Sequence, residues 1–273
     1  MLIGHNDPEQ YNEAVRCHEG AGSIRYTTVL GADAFRTPWL FIHRGVLPPG
    51  GGIGVHLHEG CEEMYAIFDG AALFAHNGHV AELKGPAMVP CRKGESHGIL
   101  NHTDQTVPWM NLCVADPDGK YDSTEYGQDL TDATLGPGDP IPFGRLDRNV
   151  MQEISGVHQG KGALLFREIW GHHDFRTTWG FIHHIILPPD SSIGYHRHET
   201  MEECYMLLRG KARSTVDDET VEVVAGDAAP CPLGSAHGIY NHTNEELEIL
   251  NMAVTMEKDT FDSEDLGDDL SKR

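Results

Sequence analysis

Long apolar runs are missing from this sequence: none reaches the roughly 18 residues that a membrane-spanning helix needs, so no membrane partner is expected. The amino terminus, Met1-Leu2-Ile3-Gly4-His5-Asn6-Asp7, lacks the basic-then-apolar build of a secretion signal, and the expected location is cytoplasmic. Positive charge is scarce, with 20 Lys and Arg against 42 Asp and Glu in 273 residues. The formal net charge of −22 opposes contact with phosphate backbones, which leaves a small molecule, not nucleic acid, as the expected partner. Six cysteines show no CxxC spacing, which argues against a zinc knuckle or a thioredoxin-like pair.

Windows of helix length free of Gly and Pro are also few, and only Gln10 to Arg16 suggests a short helical turn. What is present is a repeat. Residues 31–103 lie over 171–243 without a gap at an offset of 140, so that Gly31, Phe35-Arg36-Thr37, Trp39 and Phe41-Ile42-His43 meet Gly171, Phe175-Arg176-Thr177, Trp179 and Phe181-Ile182-His183. The register runs outward as well. His18-x-Gly20-x-Gly22 meets His158-x-Gly160-x-Gly162, and Asp122-Ser123 meets Asp262-Ser263. Short apolar or alternating segments such as Trp39 to Leu47, Glu63 to Phe68 and Trp109 to Val114, separated by turn residues, predict an all-β fold. The Gly/Pro stretch from Ala133 to Pro140 reads as a linker between an amino-terminal domain, 1–132, and a carboxy-terminal one, 141–273.

In Gly54-Val55-His56-Leu57-His58 the two histidines are i and i+2, so on a strand both rings leave one face and can share a metal ion. Glu63 follows, then Gly70, and His97 stands on a third segment ahead of Asn101. The second copy repeats the set as His196, His198, Glu203, His237 and Asn241. These residues resemble the cupin family, whose motifs read G-x5-HxH-x4-E-x6-G and G-x2-H-x3-N. Gly50, His56, His58, Glu63 and Gly70 fit the first and Gly94, His97 and Asn101 the second, although Pro90 stands four residues before Gly94 where the family usually has two. In the second copy Asp190 replaces the first glycine. The resemblance covers both halves. It implies two tandem jelly-roll β-barrels related by a pseudo-twofold axis, a bicupin, each with a metal held by His56, His58, Glu63 and His97 or by His196, His198, Glu203 and His237. Three imidazoles and a carboxylate suit a divalent transition metal, with Fe, Mn, Ni or Zn expected, two per chain. Glu62 recurs as Glu202, and the motif spacing favours Glu63 as the ligand.

Other repeated residues supply further candidates. His43 and His183, Glu62 and Glu202, and Tyr65 and Tyr205 are candidate proton carriers. Arg36 and Arg176, with Trp39 and Trp179, are candidates for gripping a substrate carboxylate, and equally for a structural ion pair or stack. Asn111 and Asn251 are candidates for substrate contact or for steadying the imidazoles, a role also open to Asn101 and Asn241 alongside turn capping. His18 and His158 are expected on the surface or over a pocket. The expected function is a metal-dependent enzyme on a small oxygen-rich metabolite, an oxidoreductase (dioxygenase) or decarboxylase, with Lewis-acid isomerase, lyase or cyclase chemistry or a ligand-binding module as alternatives. Homo-oligomers of such chains are also expected.

Overall fold

The computed structural model describes residues 1–135 and 141–273, so most of the expected linker lies outside the described residues. The first half runs β1 (Asn12–Val15), β2 (Ser23–Gly31), β3 (Trp39–Leu47), β4 (Gly52–Leu57), β5 (Cys61–Ile67), β6 (Ala71–His76), β7 (His79–Lys84), β8 (Ala87–Cys91), β9 (Ser96–Leu100), β10 (Val107–Ala115) and β11 (Thr124–Glu125), followed after the undescribed residues by β12 (Gly144–Arg145). The second repeats the series as β13 (Gln152–Ser155), β14 (Ala163–Gly171), β15 (Trp179–Leu187), β16 (Ser192–Arg197), β17 (Met201–Arg209), β18 (Lys211–Val216), β19 (Glu219–Val224), β20 (Ala228–Cys231), β21 (Ala236–Tyr240), β22 (Leu247–Thr255) and β23 (Glu264–Asp265). The short helical turn expected near Gln10 is shifted: a 3-10 turn covers Pro8–Gln10, and Asn12–Val15 is a strand because it pairs with Ser23–Tyr26. No helix is long and apolar enough to cross a membrane among the described residues.

Each half is a sandwich of a large and a small antiparallel sheet. The first has the orders β1-β2-β3-β10-β5-β8-β12 and β11-β4-β9-β6-β7, and the second β13-β14-β15-β22-β17-β20 and β19-β18-β21-β16-β23. Side chains alternate between faces along a strand, and the large sheets use both faces. On β10, Trp109 packs into the core of its own half, whereas Met110, Leu112 and Val114 join a cluster shared with Trp179, Ile182, Leu250 and Met252 of the other half. Trp39 and Trp179 meet edge to face at 4.7 Å in that shared core. The two large sheets therefore back onto one another across the pseudo-twofold axis, and both lose their apolar outer faces from water.

The halves also trade chain ends. Gly144 and Arg145, just beyond the linker region, pair with Met88 and Ala87 of the first half, and Gly4 forms a bridge with Ala228 of the second. These are the same contact at the repeat's offset of 140, seen from the two sides.

Turn chemistry follows the sequence. Gly50 has φ +72°, and Asp190, its counterpart, adopts φ +61°. A left-handed aspartate is less comfortable than a glycine, and its carboxylate is engaged by Lys161 Nζ and Tyr240 Oη, each at 2.6 Å.

Candidate metal centre

Both four-residue sets converge. His56, His58, Glu63 and His97 present ligand atoms within 4.8 Å of one another, as do His196, His198, Glu203 and His237, and all eight side chains are buried. The histidine pair leaves β4 or β16, the glutamate comes from the large sheet, and the third histidine lies on the strand beside the pair, with His56 opposite His97 and His196 opposite His237. A register shift between Ile53 and His56, and again between Ile193 and His196, sits beside each site, the kind of bulge that re-aims a side chain.

Parity separates the two candidate glutamates. Glu63 points inward, with Oε2 at 3.2 Å from His97 Nε2, 3.7 Å from His58 Nε2 and 3.8 Å from His56 Nε2. In the second half Glu203 lies 3.3 Å from His198 Nε2 and 3.6 Å from His237 Nε2. The neighbouring ring nitrogens are occupied. His56 Nδ1 faces Gly54 O and His196 Nδ1 faces Gly194 O at 2.8 Å, while Asp122 O and Asp262 O receive His58 and His198. Such contacts place the proton on Nδ1 and leave the Nε2 lone pair for a metal. The Nε2 atoms of His56, His58, His196, His198 and His237 are indeed buried without a hydrogen-bond partner. Unpaired buried acceptors are costly. Five of them aimed at two buried carboxylates fit a divalent ion in each half, held by three imidazoles and a carboxylate.

Burial works against ionisation of Glu63 and Glu203, yet the surrounding imidazoles hold both carboxyls well below the usual carboxylate range. Burial pushes His97 and His196 down to about 4, which keeps them neutral as metal ligands must be.

Beside each site lies a cavity, about 380 Å³ in the first half and about 420 Å³ in the second. His43 and Asn111 line the first and His183 and Asn251 the second. His43 stacks on Phe41 at 3.9 Å, and burial pushes its imidazole down to about 4. Asn251 Nδ2 donates to Glu203 Oε2 at 2.8 Å, so it steadies the carboxylate.

Several candidates stand elsewhere. Glu62 and Glu202 are not proton carriers at the cavities: one parity step from the ligands, they cross to the other half. Glu62 accepts from Arg176 N at 2.8 Å, Thr177 N at 2.9 Å and Thr177 Oγ1 at 2.6 Å, and Glu202 accepts from Arg36 N at 2.9 Å, Thr37 N at 2.8 Å and Thr37 Oγ1 at 2.6 Å. Arg36, Arg176, Trp39 and Trp179 consequently belong to the junction of the halves and line neither cavity. The Arg176 guanidinium donates to Lys93 O and, at 3.2 Å, to Glu95 Oε1. Asn101 and Asn241 cap turns, with Asn101 Nδ2 donating to Leu47 O and Gln105 O, and neither hydrogen-bonds an imidazole. Tyr65 and Tyr205 lie fully buried behind the third histidine, ring centroids 5.3 Å from His97 and 5.0 Å from His237, and neither is among the cavity-lining residues.

His18 and His158, expected on the surface or over a pocket, line the cavities, and two features of each site go beyond that expectation. His18 stacks flat on His56 at 3.8 Å and His158 on His196 at 3.6 Å, with Nδ1 at 2.8 Å from Glu125 and Asp265 respectively. Both histidines are left-handed, at φ +48° and +50°. Gly54 permits this approach, since a Cβ there would meet His18 O at 2.0 Å. The second feature is Asp122, whose carboxylate accepts from Glu59 N and Gly60 N at 2.9 Å and clamps the loop after the histidine pair, as Asp262 does at Glu199 and Thr200. Repetition of His18-x-Gly20 and Asp122-Ser123 at the same offset was the available signal.

The fold has counterparts among known proteins. A family model described as a Cupin domain matches residues 183–253. The chain is 29% identical over 105 residues to an oxalate-binding protein of Thermotoga maritima, covering 38% of this chain and 87% of the relative. It is 32% identical over 90 residues to an uncharacterised protein of Methanocaldococcus jannaschii, covering 33% and 72%. Among solved structures, Bacillus subtilis oxalate decarboxylase at pH 4.6 superposes with a TM-score of 0.66 at 16% identity, over 97% of this chain and 78% of that one. A second structure of that enzyme, from work on its Mn(II) centres, gives 0.67 at 16% over 97% and 79%. At such identity the likeness is one of fold.

Proposed function

This chain belongs to the cupin family as a bicupin, and from that premise we propose that it is an enzyme that uses a divalent metal in each half to bind and activate a small oxygen-rich acid, with decarboxylation the favoured reaction and dioxygenation the second. The observation that carries this reading is the pair of buried, converging sets of unpartnered Nε2 atoms around Glu63 and Glu203, each opening beside a cavity. When bound, the ion supplies Lewis acidity toward substrate oxygens. The chain's own residues orient the imidazoles through Gly54 O and Asp122 O, hold the carboxylate through Asn251, and keep bulk water from the ligand set by burying it. The relative that binds oxalate and the decarboxylase of like fold support an acid as ligand.

The oxalate-binding relative also favours a second reading, capture of an acid without turnover. Elemental analysis of protein purified without chelator tests the metal, with an expected two ions per chain, falling to about one in the double variant His56→Ala, His58→Ala. Carbon dioxide release and oxygen uptake measured on the same preparation then divide the readings. Release without uptake supports decarboxylation, uptake supports dioxygenation, and binding with neither supports the capture module.

A further inference from the structure

The cavities constrain the acid more closely than the ligand sets do. Ile24, Tyr26, Phe41, Ile53 and Trp109 line the first, and Leu164, Phe166, Phe181, Ile185, Ile193 and Phe261 the second. No lysine or arginine is among the described residues lining either one. Beyond the ligands the polar lining is Cys17, His18, His43, Asn111 and Tyr121 in the first and His158, His183, Asn251, Ser263 and Asp262 in the second, where the Asp262 carboxylate is taken up by Glu199 N and Thr200 N and adds no positive charge. The Oδ1 atoms of both asparagines are buried without a partner. Both asparagines are more than nine-tenths buried.

Charge and volume act together here. A divalent ion with three neutral imidazoles and one carboxylate leaves a single positive charge. A monoanion neutralises it, whereas a dianion leaves an uncompensated negative charge in a low-dielectric chamber with no cationic side chain to meet it. A dianion of six heavy atoms also leaves most of a chamber of about 400 Å³ unfilled, and the apolar wall gains nothing from it. Resting on the metal reading above, we infer that each half takes a monoanionic acid that chelates the metal through a carboxylate and an adjacent hydroxyl or carbonyl oxygen and carries an apolar body near the size of a phenyl ring, in preference to a small dianion such as oxalate. An adjacent hydroxyl meets the vacant asparagine Oδ1 as donor. The walls differ: Tyr26 and Tyr121 of the first cavity correspond to Phe166 and Phe261 of the second, so the aromatic hydroxyls of the first are absent from the second.

Titration calorimetry of the full chain, loaded with zinc and again after stripping by chelator, tests this with oxalate, lactate and each enantiomer of mandelate. Lactate and mandelate share a head and differ by a buried ring, so mandelate is expected to bind roughly thirtyfold more tightly than lactate, with oxalate no tighter than lactate, and with stripping weakening all of them. Phe261 stands 44% exposed at the rim, where a long cation fits without disturbing the core. Phe261→Arg is expected to shift the preference of the second cavity toward oxalate by about tenfold or more. Oxalate binding as tightly as mandelate to the wild-type, two-metal protein overturns the ligand assignment and leaves the metal reading standing. A chain that takes up no zinc overturns both.

Discussion

Glu62 and Glu63 are adjacent carboxylates with unrelated duties, and the difference is a matter of strand parity. Glu63→Gln removes the one negative charge offsetting a divalent ion, so the bound metal should fall by about one per chain while the fold persists. Glu62→Gln leaves the metal in place but turns an amide group toward backbone N–H donors at the junction of the halves, and a loss of roughly 2–4 kcal/mol in denaturant unfolding is expected. Metal content and unfolding measured on both variants check the pair, and metal loss from Glu62→Gln would refute the assignment. The ligands themselves were readable because a metal needs particular atoms at particular spacings. The roles of Glu62, Arg36 and Trp39 were not, because alternation reveals that a side chain faces the other way without revealing what waits there. Here a second barrel waits.

At the scale of the element, the strands were legible from alternation and turn residues: Trp39 to Leu47 forms the strand that its pattern suggested. Contacts between loops and strands were less so. The turn that carries His18 lies against β4 only because Gly20 and Gly54 have no side chains, a dependence no local pattern displays. Gly54→Ala should therefore displace His18 from His56 and destabilise the chain by about 2 kcal/mol or more, read by thermal unfolding, and an unchanged melting point would argue against that packing. Acid should act on the same elements. His43, His97 and His196 resist protonation down to about 4 when folded, whereas unfolded histidines take up protons near 6.5. Below 6.5 the unfolded chain thus binds more protons, and the stability of the metal-free protein should decline as the pH falls from 6.5 towards 4. Glu63 and Glu203, held low, extend the loss further into acid. His58 and His198 are raised, burial notwithstanding, by neighbours that include Glu63 and Glu203, so below 6.5 their contribution is already complete and adds no slope. Melting curves across that range check the sign.

Across the whole molecule, the two halves are near copies with unequal sites. The approach to the first metal is Gly50-Gly51-Gly52 and to the second Asp190-Ser191-Ser192, and Tyr121 donates toward His18 Nε2 at 2.9 Å where the second half has Phe261. Glu63→Gln and Glu203→Gln are accordingly expected to lower turnover by different amounts, and equal half-sized losses would establish two equivalent sites. The reciprocal pairing of Gly144 with Met88 and of Gly4 with Ala228 has a bearing on dilution. Two separate barrels joined this way would come apart as their concentration fell, since association of free partners follows mass action. Carried on one chain, each barrel meets the other at a local concentration set by the tether alone, so the paired architecture, and the lining of both chambers with it, is held equally well in a crowded solution and in one where the protein is rare.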